Sequence, residues 1–370
     1  MRLAFLLLAS AVAALAQQGP PPFVAGEDGS HSYRIPTVAA TPKGALVVAC
    51  EARRRTWVDK SPTDVVARRS ADGGRSWEPA QVPLPGAGGA MMDPCLLADP
   101  AGGALHLIAA HWPKGDATES AEALWIATSL DEGASWSKPR RIPASALPKG
   151  ARPMGVGPGA GFVCADGTLV MPVRLSVPSG DARRTRNFAL VSRDGGATWK
   201  TGGACPAGGE FQIAEATDGR WVALRRNGAR RMQTESRDGG ITWGPERHRA
   251  ELGGIEDGCQ GSLHRAGQVL LHASPAGAPA KPDFDNRGRL TLWRSADDGA
   301  TWKDSAVIHP LASGYSCMAN LPDGRVALVW ESADTTTFPR GRERPAGWMR
   351  IDLRLLPASV AKPGSTPVAR

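Results

Sequence analysis

Tyrosine is almost missing from this chain: 370 residues contain only Tyr33 and Tyr315, beside 12 tryptophans. Chemistry that needs a phenol must fall on one of those two positions. Histidine is sparse and scattered, and there is no H-E-x-x-H, no clustered His/Cys spacing, no G-x-x-x-x-G-K and no nucleophile elbow. These absences exclude the common metalloprotease, P-loop and serine-hydrolase signatures. They predict chemistry without a metal ion or organic cofactor. The six cysteines (Cys50, Cys95, Cys164, Cys205, Cys259 and Cys317) form no C-x-x-C, and spacing alone assigns no pairing. A chain this long builds its core without staples, so they read as small buried hydrophobes.

Long apolar runs are also lacking after the first sixteen residues, which excludes a membrane helix. Those sixteen, MRLAFLLLASAVAALA, carry one charge at Arg2, a short apolar run and a small-x-small ending at Ala14 and Ala16. They predict a signal peptide cleaved near Ala16 and export to the periplasm or the medium. The net charge of +8 is modest for the length. Its basic runs, RRR at 53–55 and GARR at 228–231, are not interleaved with aromatics as a nucleic-acid groove requires. A solvated surface and an anionic substrate both remain compatible with that charge.

What the chain has in abundance is repetition. Five segments share the form S-x-D-x-G-x-[ST]-W: SADGGRSW at 70, SLDEGASW at 129, SRDGGATW at 192, SRDGGITW at 236 and SADDGATW at 295. Each reads as a turn between strands. The aspartate accepts backbone N–H bonds, the glycine takes positive φ, and the tryptophan returns to pack. These aspartates are therefore structural. A weaker repeat alternates with them, a turn followed by an apolar strand: TPKGALVVA, DPAGGALHLIA, CADGTLVMPV, ATDGRWVALR, HRAGQVLLHA and LPDGRVALVW. Six such units of about four short strands predict an all-β fold, a six-bladed β-propeller. WMRIDLRLL is expected to pair with N-terminal sequence and close the ring, removing open sheet edges. One domain is expected over residues 24–358, with residues 17–23 and 359–370 as flexible ends.

The repeated segment is the Asp box. With YRIP at 33–36 and EAR at 51–53, the chain resembles the bacterial exo-sialidases (neuraminidases) with Asp-box (BNR) repeats, over essentially the whole mature sequence. Asp boxes alone also occur in propellers that only bind; YRIP followed by EAR and an Asp box is the more specific sign. The resemblance implies a clamp of three arginines on the carboxylate of sialic acid, the planar guanidinium fork being suited to it. The YRIP arginine is Arg34. The second lies in GGEFQIAEATDGRWVALRRN, where strand alternation sends Arg225 and Arg226 to opposite faces; aligning the RN end selects Arg226, with Arg225 the alternative. The third, in NRGRLTLWRSADDG, is Arg287, with Arg289 the alternative.

The same resemblance makes Tyr315 the nucleophile, Glu210 the base that takes its proton and Asp59 the acid, with Asp64 the other aspartate of that segment. A phenol suits an anomeric carbon that already bears a carboxylate, which would repel an attacking Asp or Glu. Three nearby guanidinium groups are expected to lower the phenol pKa. Arg53 is an implied contact at the sugar's 4-position, Asp93 one near its 4-hydroxyl and amide side, Glu331 the carboxylate that orients Arg34, and Trp112 either a wall of the N-acetyl pocket or a packing residue. The expected function is retaining hydrolysis of terminal sialic acids from sialylated glycans through a covalent tyrosyl glycoside, by a monomer. A trans-sialidase and a non-catalytic glycan-binding propeller are the rival readings. The ordered set Arg, Asp, Glu, Arg, Arg, Tyr weighs against mere binding.

Overall fold

The computed structural model describes residues 17–114, 121–255, 258–277, 287–303, 305–335, 338 and 349–363. The expected export signal, 1–16, and the end of the expected flexible tail, 364–370, lie outside the described residues. The fold is all-β. Its first strand, β1 (Gln17–Val24), does not pair with its successor; the following strands run as antiparallel meanders in chain order. The first meander is β2 (Ser32–Ala40), β3 (Leu46–Arg53), β4 (Thr63–Ser70) and β5 (Gln81–Leu84). The second is β6 (Ala90–Ala98), β7 (Leu105–Trp112), β8 (Ala123–Ser129) and β9 (Arg140–Arg141).

The third begins at β10 (Arg152–Val156). Two short pieces follow: β11 (Gly159–Ala160), parallel to β6, and β12 (Phe162–Val163), paired with β13 (Leu169–Ser179). β10 and β13 pair, and β14 (Ala182–Ser192) and β15 (Lys200–Thr201) complete it. The fourth is β16 (Phe211–Glu215), β17 (Trp221–Asn227), β18 (Arg230–Ser236) and β19 (Arg247–His248). The fifth is β20 (Ser262–Ala266), β21 (Val269–Pro275), β22 (Gly288–Ser295) and the first half of β23 (Ser305–Asn320). The second half of β23 opens the sixth, with β24 (Val326–Ser332) and β25 (Arg350–Leu356), and β1 pairs along β25.

The residues expected to be a flexible lead-in, 17–23, are thus the outer strand of the sixth meander. Proline-rich sequence can take an edge position because it needs few ladder donors. Similarly, Ala358–Ala361 forms a 3-10 turn with Val360 buried, so the chain stays packed beyond residue 358.

Apolar clusters lie between consecutive meanders: first and second, second and third, third and fourth, fourth and fifth, fifth and sixth, and sixth and first. Strands covered on both faces cannot alternate apolar with polar. All eight residues of β3 are accordingly buried, Glu51 and Arg53 included. All six cysteines are buried and unpaired.

The five Asp boxes join the third and fourth strands of the first five meanders. In each, the aspartate accepts a bond from the serine hydroxyl two residues before it and from the backbone N–H four residues after it. For Asp194 the distances are 2.7 Å and 2.9 Å. The glycine has two reasons to be glycine. At Gly196 φ is +87°, and a Cβ would lie 2.4 Å from the His106 ring of the preceding meander. Each box is thereby a spacer pressed onto the sheet before it.

Candidate active site

The residues implied as functional leave their strands at irregularities. β2 shifts register between Arg34 and Thr37, β6 between Met92 and Cys95, and β23 between Ser313 and Ser316. Ile35 and Asp93 both have φ of +55°, although each precedes a proline, which normally confines its neighbour to extended backbone. Such conformations cost about 1–3 kcal/mol apiece and persist only where surrounding structure fixes them. Here buried carboxylates do so. Glu331 accepts from the Ile35 N–H at 2.8 Å and the Tyr315 N–H at 3.3 Å, and Glu51 accepts from the Asp93 N–H at 2.9 Å.

Glu331 also holds the guanidinium of Arg34, at 3.1 Å from Nε and 3.3 Å from Nη2. The rest of that guanidinium is 3.7 Å from Asp59 and 5.5 Å from the centre of the Tyr315 ring. Arg287 approaches the same ring at 5.4 Å. Arg226 lies 3.4 Å from the Tyr315 hydroxyl and 2.8 Å from Glu210. The Tyr315 hydroxyl donates to the other oxygen of Glu210. Arg34, Arg226, Arg287, Glu210, Tyr315 and Glu331 are therefore one cluster, drawn from the first, fourth, fifth and sixth meanders.

The alternatives separate cleanly. Arg225 turns away to pair with Glu246 at 2.6 and 2.7 Å, while Arg226 faces the cluster. Arg289 is exposed. Asp64 belongs to β4 and pairs with Arg54 at 2.7 Å, whereas Asp59 stands on the loop before it, with its side chain 69% exposed and 2.7 Å from Arg53. Arg53 is fully buried and held by Glu51 at 2.7 and 2.9 Å. Trp112 packs in the core between the second and third meanders, 4% exposed, with Lys60 over its ring. The other tyrosine, Tyr33, is a core residue whose hydroxyl donates to the Glu27 carbonyl at 2.9 Å.

Electrostatics divides the acids. Burial would raise Glu210, but Arg226 and Arg174 outweigh it, and with the Tyr315 bond they hold its carboxyl down at about 2. Burial likewise opposes Arg53 and Arg34 at Asp59, and there too the arginines win, lowering it. Asp93 goes the other way: burial and the neighbouring Glu51, Glu210 and Asp59 push it up to about 7 against the pull of Arg174. The expectation for Tyr315 is corrected. Burial and the Glu210 charge raise its phenol well above the ordinary value, and Arg287 and Arg226 offset only part of that. At rest Tyr315 is a neutral phenol bonded to the Glu210 carboxylate.

Three participants were not anticipated from the sequence. Arg174, on β13, binds the Asp93 carboxylate. Glu51 ties Arg53 to the Asp93 bulge. Arg231 lies directly opposite Arg226 in the β17–β18 ladder and is buried, which pushes its guanidinium down to about 10. The only signal for Arg174 was a charged residue inside the apolar run LVMPVRLSV, in a repeat where such runs line sheets.

A model of the BNR repeat-like domain matches residues 36–328. The chain belongs to the sialidase family with BNR repeats. Among curated relatives it is similar to a sialidase of Micromonospora viridifaciens, 30% identical over 341 residues covering 83% of this chain and 51% of the relative. A sialidase of Bacteroides fragilis is 28% identical over 348 residues, covering 84% and 61%. The chain thus spans between half and two thirds of the length of these family members. Among solved structures, a Hadza microbial sialidase superposes with a TM-score of 0.76 at 26% identity, covering 91% of this chain and 68% of that one.

Proposed function

We propose that the protein is a retaining exo-α-sialidase and that its six meanders are the blades of a closed propeller. The propeller reading is supported by the apolar clusters between consecutive meanders and by the β1–β25 pairing. The observation that carries the catalytic reading is the Tyr315 hydroxyl bonded to Glu210 with Arg34, Arg226 and Arg287 gathered about it. A fork of three guanidinium groups suits a carboxylate, and it would set the anomeric carbon of a sialoside over the phenol.

In the first step Tyr315 Oη bonds to the anomeric carbon as the glycosidic C–O bond breaks. Glu210 takes the phenol proton and Asp59 protonates the departing oxygen. With Glu210 at about 2 and the phenol well above its ordinary value, the proton moves only as the C–O bond forms. In the second step Asp59 takes a proton from water, the water oxygen attacks the same carbon, and the tyrosyl oxygen leaves and recovers its proton from Glu210. Two inversions give retention. Asp59 starts with low proton affinity because Arg53 and Arg34 face it. A substrate carboxylate on Arg34 would cancel part of that field, so proton affinity at Asp59 rises as the sugar binds.

The test is release of 4-methylumbelliferone from its α-sialoside, run with wild type and Tyr315→Phe. Turnover in wild type and a loss on the order of 10³-fold or more in the variant is the expected outcome. A wild type inert on both the N-acetylated and the deaminated α-sialoside would overturn the reading. Unchanged products when lactose is added would separate hydrolysis from transfer.

A further inference from the structure

The site contains a polar pair that the mechanism does not use. Arg174 and Asp93 meet side chain to side chain, retaining 16% and 9% of their exposure. They come from β13 and β6, in the third and second meanders, whereas the clamp and nucleophile come from the first, fourth, fifth and sixth. The pair nevertheless belongs to the same site: Arg174 helps hold Glu210 down, and Asp93 feels Glu51, Glu210 and Asp59. A pyranose with its C1 carboxylate in the clamp and C2 over Tyr315 turns its C4–C5 edge toward that opposite side.

Arg174 Nε has no hydrogen-bond partner among the described residues, and Gly155 covers the pair so closely that a Cβ would lie 2.2 Å from both Arg174 Nη2 and Asp93 Oδ2. The corner is therefore tight, and the donor side chain Arg174 and the acceptor side chain Asp93 lie side by side in it, each keeping a little exposure. A hydroxyl meets both through one oxygen, accepting from Arg174 while donating to Asp93. An acetamido group cannot, because its N–H and C=O point in opposite directions and its methyl needs an apolar wall. Trp112, the aromatic that the sequence offered for such a wall, is spent in the core.

Resting on the sialidase reading, we infer that the Asp93–Arg174 pair selects nonulosonic acids carrying a hydroxyl at C5, the deaminated sialic acids, over N-acylated ones. The experiment compares kcat/KM of the full chain on the 4-methylumbelliferyl α-glycosides of the deaminated and the N-acetylated sugar. Wild type should favour the deaminated substrate by about tenfold or more, since an unmatched buried polar group discriminates strongly. Arg174→Met should shrink that ratio to within about threefold. The ratio is insensitive to the fraction of folded enzyme, so a purely structural role of Arg174 would leave it unmoved. If wild type treats the two equally or prefers the N-acetylated sugar, the inference is overturned while the sialidase reading stands. A wild-type preference that Arg174→Met leaves intact also overturns the assignment. Inertness toward both substrates sinks the sialidase reading instead. Should Arg174→Met not fold, Asp93→Asn gives the same ratio test.

Discussion

The Asp-box turns and the bulges of β2 and β6 both pass through positive φ and hand their freed N–H groups to a carboxylate. They differ in where the carboxylate comes from. Asp72 finds its partners at Ser70, Arg75 and Ser76, all within four residues. Glu331 finds Ile35 and Arg34 nearly three hundred residues away. The boxes are therefore self-contained units that can be copied along a chain, while the Ile35 bulge exists only once the first and sixth meanders have met. Their electrostatics follow suit. Local hydroxyls and N–H groups lower Asp194 and Asp238 alike, to about 2, whereas the site sends Glu210 down to about 2 and Asp93 up to about 7.

If the contrast is right, the largest effect on stability should come from Glu331→Ala. It strands a buried guanidinium and two bulge N–H groups at once, so denaturant titration should show a loss of roughly 3–5 kcal/mol, with kcat/KM falling at least about a hundredfold. An effect on activity alone would mean the bulges do not depend on it. Next comes Asp59→Ala. The loss should be large on sialyllactose and smaller on an aryl sialoside, whose leaving group hardly needs a proton; equal losses on both would remove the acid role. Asp238→Ala, at a box, should lower Tm by a few degrees and leave kcat/KM within about twofold. A box substitution that abolished turnover would erase the distinction between the two regions.

The smallest expected effect concerns pH. A carboxyl raised from about 3.9 to about 7 stabilises the fold at low pH, and that contribution is lost as pH rises through 7. Asp93→Asn should therefore show a flatter fall of Tm between pH 5 and pH 8 than wild type.

The same contrast explains what could be read in advance. Box turns were legible because every partner of Asp72 or Asp194 sits inside eight residues, and the spacing of five boxes gave the meanders. Arg34, Arg287 and Tyr315 were found through family motifs, not through any local signal. Strand alternation says that only one of Arg225 and Arg226 faces the site, and choosing Arg226 took the family alignment of the RN end. Arg174 and Glu51 escaped because their partners, Asp93 and Arg53, are joined to them across strands, and a charged residue within an apolar run does not announce what it meets. The phenol pKa was misjudged since the sequence counts arginines but cannot weigh burial and the Glu210 charge against them. The lead-in at 17–23 was misjudged because its partner strand lies more than 320 residues on.

β1 against β25 has a temporal side. On the ribosome Arg34 emerges long before Glu331, and β1 before the strand it pairs with, so neither can be satisfied until nearly the whole chain is made. Synthesis interrupted before β24 would leave β1 without its partner strand and Arg34 without its carboxylate. The Arg34–Glu331 pair and the β1–β25 ladder thus form in one late event.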